Sequence, residues 1–173
     1  AAAVAAVVKR SEELLRMREF VEHKELERKN ARIARELDLA NRIHQSLLPR
    51  SMSRGLADVA VTYTPMMYMG GDYAKVRFFG EDRMMFIVAD VTGHGVSSAL
   101  LVNRMDAEIE RLMREKTDPD DMLAALDTFI KNDFGKLGYY ISGFAGLLDL
   151  SGKRLVYSNH GHPPQVLIGA GGR

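Results

Sequence analysis

The sequence predicts an α+β protein in which a long N-terminal helix precedes a mixed domain with antiparallel strands. Three observations support this prediction. Residues 9–48 contain neither glycine nor proline and are rich in charged residues, leucine and alanine, as expected of a helix. After Pro49, short apolar segments alternate with turn residues. Those segments lie too close together in sequence for parallel crossovers. We therefore expect a helical linker over residues 1–48 and a mixed domain over residues 49–173.

Composition excludes several classes of function. The 173 residues include 24 Lys and Arg against 23 Asp and Glu, so no excess of positive charge favours nucleic acid. The chain has no cysteine, which excludes disulfides and thiolate metal sites and is compatible with a reducing cytoplasm, where we expect the protein to reside. The opening "AAAVAAVV" is too short to span a bilayer. Any membrane attachment would require a segment upstream of this sequence.

The N-terminal helix carries an apolar stripe with the spacing of a coiled coil. The stripe consists of Leu26, Asn30, Ile33, Leu37, Ala40, His44 and Leu47, with Asn30 and His44 as polar interruptions. Two interpretations remain open. The helix either packs on its own domain, or it forms a homodimer and transmits a signal.

The mixed domain has recognisable boundaries for most of its elements. Asp118 and Pro119 are suited to the start of a helix, because aspartate caps free backbone N–H groups and proline fits the first turn. Ser151 and Gly152 suit a tight turn between two strands. The predicted elements are strands at 59–65, 139–150, 154–161 and 164–169, a hairpin over 72–90, and helices beginning at Val96 and Pro119.

The stretch "GGDYAKVRFFGEDRMMFIVADVTGHG" places one aspartate near each end of a predicted hairpin. If "GED" forms a three-residue loop, paired residue numbers sum to 162, and Asp72 lies opposite Asp90. The same face then carries only apolar residues between the aspartates, which supports this register and suggests a core edge. Opposed carboxylates repel, and Mg²⁺ or Mn²⁺ would compensate them. The alternative is that one aspartate caps a turn and the other caps the following helix.

The segment "DVTGHG" suits close approach of a phosphate. Gly93 and Gly95 permit unusual backbone conformations just before a helix, whose first N–H groups favour an anion. His94 either contacts this phosphate or is merely exposed, and a tight strand-to-helix connection explains the glycines equally well. We interpret His160 and His162 as parts of a shaped turn near the site rather than as metal ligands.

Four motifs together carry a family resemblance: "LDLANRIHQSLLP", "GGDY", "VADVTGHGVSSALL" and "NHGHPP". In this order and spacing they resemble the SpoIIE/RsbU branch of the PPM-type, metal-dependent Ser/Thr protein phosphatases. The resemblance implies an α/β sandwich of two antiparallel β-sheets flanked by helices, and a binuclear Mn²⁺ or Mg²⁺ site. It also implies that Asp72 and Asp90 are catalytic metal ligands, that the backbone carbonyl of Val91 completes the shell, and that metal-activated water attacks phosphoserine or phosphothreonine.

The resemblance further implies a phosphorylated protein substrate with a STAS domain, which controls an anti-sigma factor, and a linker helix that transmits an upstream signal. Two departures accompany it. The family's further metal-binding aspartates have no counterpart before the final "GAGGR", so we expect the C-terminal part of the domain to lie outside this sequence. Ala74 and Lys75 replace the family's usual aromatic and acidic or polar residues, and Lys75 is expected to add positive charge near the site.

Two other functions remain open from the sequence. The chain is alternatively an inactive regulatory module that dimerises and binds a signalling partner. A third interpretation, nucleotide binding at "TGHG", is weaker because neither a P-loop lysine pattern nor a dinucleotide fingerprint accompanies these glycines.

Overall fold

A computed structural model describes residues 2–64, 69–93 and 95–169. The chain divides into two units, Ala1–Asn41 and Arg42–Arg173. The predicted boundary between linker and domain lies at residue 48, and the role of the linker in dimerisation or signalling stays a prediction.

The first element, α1 (Ala2–Leu47), confirms the predicted long helix. Exposed ion pairs one turn apart follow its surface, such as Arg18 with Glu22 and Arg32 with Glu36, each at 2.9 Å. Pairs of this kind stabilise a helix by only about 0.3–0.5 kcal/mol each. In the part of the chain that the structure describes, no helix is long and apolar enough to cross a membrane.

The residues of the predicted coiled-coil stripe differ in exposure along the helix. Leu26 and Ile33 are exposed, whereas His44 is only 1% exposed and belongs to the second unit. Burial lowers the pKa of His44, because an apolar environment disfavours the charged imidazolium. Leu47 packs against the core of the same unit. The C-terminal end of the stripe therefore serves its own domain.

Among its described residues, the second unit contains the C-terminal end of α1, two antiparallel sheets, two further α-helices and a short 3-10 helix, Gly135–Leu137. This architecture confirms the predicted α+β class. A two-stranded sheet pairs β1 (Met52–Arg54) with β2 (Ala57–Val59). The larger sheet has the order β3-β4-β5-β6, in which every neighbour is antiparallel. Its strands are β3 (Asp72–Phe79), β4 (Arg83–Val91), β5 (Ile141–Asp149) and β6 (Arg154–His160), and α2 (Val96–Glu115) and α3 (Pro119–Phe134) lie between β4 and β5 in the chain.

Two predicted strands are wrong. The strand expected at 59–65 ends at Val59, residues 60–64 form none, and Pro65 lies outside the described residues. Residues 164–169 also form no strand, and Val166 and Leu167 are more than four-fifths exposed. Both segments have alternating or apolar sequences, but they do not pair with a neighbouring strand. Strand propensity without such pairing does not produce a sheet.

The core lies between the large sheet and the two helices. Met85, Ile87, Ala89 and Val91 alternate along β4 and are all completely buried there. The start of α3 is as predicted, since the Asp118 side chain accepts hydrogen bonds from the backbone N–H groups of Asp120 and Asp121. Because neighbouring residues of a strand point to opposite faces, Asp90 and its partner Asp72 lie on the face of the sheet that the helices do not cover. Both faces of β4 are apolar, and on the face that the helices do not cover Phe144 of β5 is 7% exposed and packs against Phe86.

Candidate metal site

The β3–β4 hairpin has the predicted register. Asp72 pairs with Asp90 at one end, and Phe79 pairs with Arg83 at the other. The loop begins at Gly80, whose φ of 71° is a conformation that glycine adopts without strain. Both aspartates lie on the exposed face of the sheet, directly opposite each other.

The electrostatics of this pair show incomplete charge compensation. Partial burial raises the pKa of Asp90, and the negative charge of Asp72 raises it further. His162 acts in the opposite direction and lowers the pKa of Asp90. Two hard oxygen donors with mutual repulsion are suited to a divalent cation, which would convert the repulsion into attraction.

Gly71, next to Asp72, has no side chain, and any Cβ atom at this position would clash with the backbone beside the aspartate pair. A Cβ atom at this position would lie 2.1 Å from the Val91 carbonyl oxygen and 3.1 Å from Oδ1 of Asp90. The Val91 N–H group also donates to the Gly71 carbonyl oxygen at 3.1 Å. The glycine thus brings the Val91 carbonyl and the Asp90 carboxylate together at one strand end, and this all-oxygen set fits Mg²⁺ or Mn²⁺.

A third strand contributes residues next to Asp90. Ser142 of β5 pairs with Asp90 in the sheet, and its Oγ lies 3.1 Å from Nδ1 of His162. Asn159 holds the loop that carries His162 by two hydrogen bonds with the backbone of that histidine, at 2.8 and 3.0 Å. The shaped turn predicted for "NHGHPP" is confirmed for His162, whereas His160 is the last residue of β6. Ser142 was missed from the sequence, because finding it required the register between β4 and β5.

His160 lies in a different environment. Its Nε2 is 2.9 Å from Oδ1 of Asp120, which also accepts a hydrogen bond from Oγ of Ser158 at 2.6 Å. These contacts lower the pKa of Asp120, with the Ser158 bond as the larger cause. His160 therefore links β6 to the first turn of α3. β5 lies between this strand and β4, the strand that carries Asp90.

The loop between β4 and α2 has the backbone that its glycines predict. Gly93 and Gly95 have φ values of 104° and 83°. The Gly95 N–H group donates to the Met69 carbonyl oxygen at 3.3 Å, and Thr92 exchanges two hydrogen bonds with Tyr140 at 3.0 Å each. His94 lies outside the described residues. Glycine at 95 offers no side chain to cap α2, so its first N–H groups receive no side-chain cap.

Lys75 lies on the opposite face from the aspartates. Its Nζ donates to Oδ1 of Asp106 on α2 at 2.8 Å and lies 3.5 Å from Oε2 of Glu110. Arg77 donates to Glu110 on the same side of the sheet at 2.6 Å. The expectation that Lys75 adds positive charge at the aspartate pair was wrong, because alternation along β3 directs the two residues to opposite faces.

Asp72 and Asp90 form only part of a complete ligand set. Within residues 2–64, 69–93 and 95–169, no group of three or more His, Cys, Asp or Glu side chains comes together so as to hold a metal ion. The site consequently offers two carboxylates and one nearby carbonyl.

The fold matches that of a known class of enzymes. The PP2C domain of SiaA from Pseudomonas aeruginosa superimposes with a TM-score of 0.62 and 21% sequence identity, over 75% of this chain and 54% of that chain. The fold is therefore that of a PPM-type, or PP2C-type, phosphatase domain, as the motifs predicted.

The sequence comparisons identify the branch within this class. The family model of Stage II sporulation protein E (SpoIIE) matches residues 80–173, more than half of the chain. The chain belongs to the SpoIIE family. It is 27% identical to phosphoserine phosphatase RsbP of Bacillus subtilis over 135 residues, which are 76% of this chain and 34% of RsbP. It is 24% identical to phosphoserine phosphatase RsbU of the same organism over 84% of this chain and 43% of RsbU. The chain thus spans less than half the length of either relative.

Proposed function

We propose that this chain carries part of the active site of a metal-dependent phosphatase that removes phosphate from phosphoserine or phosphothreonine in a regulatory protein. The observation that carries this proposal is the direct opposition of Asp72 and Asp90 beside Gly71 and the Val91 carbonyl. The two Bacillus relatives named as phosphoserine phosphatases support the substrate class.

Each group of residues at the site would have a distinct role. Asp72, Asp90 and the Val91 carbonyl would hold a Mn²⁺ or Mg²⁺ ion, or the pair of ions expected for the family. Such an ion supplies a water molecule of lowered pKa and charge neutralisation for the phosphoryl group. The loop with Gly93 and Gly95 would bring free backbone N–H groups of α2 toward the phosphate. Because Asp90 has a raised pKa, a bound cation would also favour its ionised form.

The expected substrate is a phosphorylated STAS-domain protein in sigma-factor regulation. The helix α1 would connect the domain to an upstream input. We expect the protein to form a homodimer through this helix. The family resemblance supports the partner, the absence of cysteine supports the cytoplasmic location, and the coiled-coil spacing of the apolar stripe supports the dimer. Copurification with a phosphorylated STAS domain and the mass of the particle in light scattering test the partner and the dimer.

The first experiment measures hydrolysis of p-nitrophenyl phosphate and of a phosphoserine peptide with increasing Mn²⁺. Asp90→Asn preserves the shape of the side chain but removes the charge, and we expect a loss of about 100-fold or more in kcat/KM. Asp82→Asn is the matched control, since Asp82 lies in the loop at the other end of the same hairpin. We expect that variant to retain wild-type activity.

A binding module without catalysis is the second candidate, and it is favoured by one observation, the assembly of only two carboxylates among the described residues. If wild type and Asp90→Asn are equally inactive at every Mn²⁺ concentration, the enzyme proposal fails for this chain. Retained binding of a phosphorylated partner by both proteins would then support the binding module.

A further inference from the structure

The strand end that carries Asp72 is attached to the domain by more than the pairing of the sheet. Asp72 is the first residue of β3 and lies on the exposed face. The like charge of Asp90 directly opposite destabilises this pairing, because ionised carboxylates at such positions repel each other. Strand ends also open more readily than strand centres. A side chain that anchors this end would oppose the repulsion.

Tyr73 is the side chain in position to do so. It follows Asp72 directly, points to the helix-covered face, and is only 2% exposed. Its hydroxyl donates a hydrogen bond of 2.5 Å to Oδ1 of Asp106 on α2. Lys75 donates to the same oxygen at 2.8 Å, so the charge of Asp106 is compensated within the network. Hydrogen bonds to charged groups are among the strongest in proteins.

The helix that holds Asp106 is itself attached to the candidate site. α2 begins at Val96, immediately after the loop in which Gly95 donates to the Met69 carbonyl. Met69 in turn precedes the glycines before Asp72. The hydroxyl of Tyr73 therefore connects the strand of Asp72 to a helix whose own start is fixed beside the same strand end.

We propose that Tyr73 and Asp106 are positioning residues, which hold Asp72 opposite Asp90 so that a divalent cation binds between the two carboxylates. This inference rests on the proposed metal-dependent function. Neither residue contacts the cation or the reacting phosphate. Their effect reaches the site through the backbone between Asp72 and Tyr73.

The first test compares Mn²⁺ affinity, measured by titration calorimetry, in wild type, Tyr73→Phe and Glu110→Gln. Tyr73→Phe retains the buried ring and removes only the hydroxyl, and we expect roughly tenfold weaker Mn²⁺ binding, as for other residues that orient metal ligands indirectly. Glu110→Gln alters the same strand-to-helix network beside Arg77, farther along β3. We expect less than a twofold change there. Equal losses in the two variants, or no loss in Tyr73→Phe, would overturn the proposal.

A conservative pair at position 106 adds a second criterion. Asp106→Asn keeps a carbonyl oxygen that can accept the Tyr73 hydrogen bond, whereas Asp106→Ala removes it. We expect Asp106→Asn to bind Mn²⁺ at least threefold more tightly than Asp106→Ala. The same affinity in both variants would contradict a role that depends on the acceptor oxygen.

Amide hydrogen exchange without metal separates this proposal from the proposed function. The Val91 N–H group, which bonds to the Gly71 carbonyl, reports on the aspartate end. The Leu150 N–H group, which bonds to the Asp82 carbonyl, is a reference at the other end. We expect Tyr73→Phe to accelerate exchange at Val91 about tenfold relative to Leu150. Unchanged relative exchange refutes the anchor, whether or not metal binds. Absence of Mn²⁺ binding in wild type with accelerated exchange refutes the metal site but supports the anchor.

Discussion

The two faces of the large sheet are made by the same strands, but they differ in how deeply their side chains are buried and in how their charged groups are paired. On the inner face, Ile87 and Val91 are completely buried beneath the helices, and the charged residues are paired. On the outer face, Val88 is 36% exposed, Asp72 and Asp90 oppose each other, and His162 lowers the pKa of Asp90. The period of two along a strand thus separates the residues that stabilise the domain from those that we propose bind metal.

This difference has a general physical basis. A buried charge without a partner costs several kcal/mol, and on the inner face Lys75 and Arg77 of β3 meet Asp106 and Glu110 of α2. An exposed strand end tolerates two carboxylates because water screens their repulsion. The outer face can therefore retain two carboxylates whose negative charge is available to bind a cation.

Removing buried volume from the inner face should give the largest effect. We expect Ile87→Ala to lower the free energy of unfolding by about 3 kcal/mol, because it leaves a cavity in a completely buried environment. Its outer-face neighbour Val88→Ala should cost less than about 1 kcal/mol, since the side chain is partly exposed. Urea denaturation measures both. Equal losses would show that the outer face is as well packed as the inner one.

Adding a single methyl group at the aspartate end should give the next largest effect. In Gly71→Ala the new Cβ would approach the Val91 carbonyl oxygen to 2.1 Å, so the strand end must shift. We expect Mn²⁺ binding to weaken by about 10- to 100-fold in calorimetric titrations.

Gly80→Ala is the matched control, because a Cβ there meets no atom within 4 Å and the positive φ confines the strain to the other end of the hairpin. It should lose stability and keep its Mn²⁺ affinity. Similar weakening of Mn²⁺ binding in both variants would mean that general destabilisation, rather than the geometry beside Val91, controls the site.

The charges of the inner face should give the smallest effect, and its sign depends on pH. The side-chain hydrogen bond from Arg114, with the charges of Lys75 and Arg77, lowers the pKa of Glu110. Glu110 therefore contributes stability above the pKa of about 4.3 that glutamate has in an unfolded chain, and this contribution is lost as the pH falls through its lower native value.

Glu110→Gln should thus reduce the free energy of unfolding by less than about 1 kcal/mol at pH 7, because solvent screens the pairs of this partly exposed side chain. The difference from wild type should shrink as the pH falls below the unfolded value and Glu110 becomes protonated in the native state, as followed by thermal unfolding from neutral to acid pH. A difference that persists at the lowest pH would mean that Glu110 acts through packing rather than through its charge.

Much of this site followed from local sequence. The apolar alternation on both sides of "GED" predicted the register that pairs Asp72 with Asp90. Asp118 and Pro119 predicted the start of α3, because capping depends on neighbours within one turn. The glycines at 93 and 95 predicted positive φ values for the same local reason.

The features that the sequence did not reveal depend on contacts between distant segments. Asp106 lies 31 residues from Lys75, and His162 lies 20 residues from Ser142, so no local pattern relates these partners. The apolar segments at 60–64 and 164–169 had the composition of strands but do not pair with a neighbouring strand. Local periodicity and turn chemistry thus determined most of the elements and the opposition of Asp72 and Asp90. Only the packing of α2 and α3 decided which face of the sheet became core, because both faces of β4 are apolar and burial depends on where the helices dock.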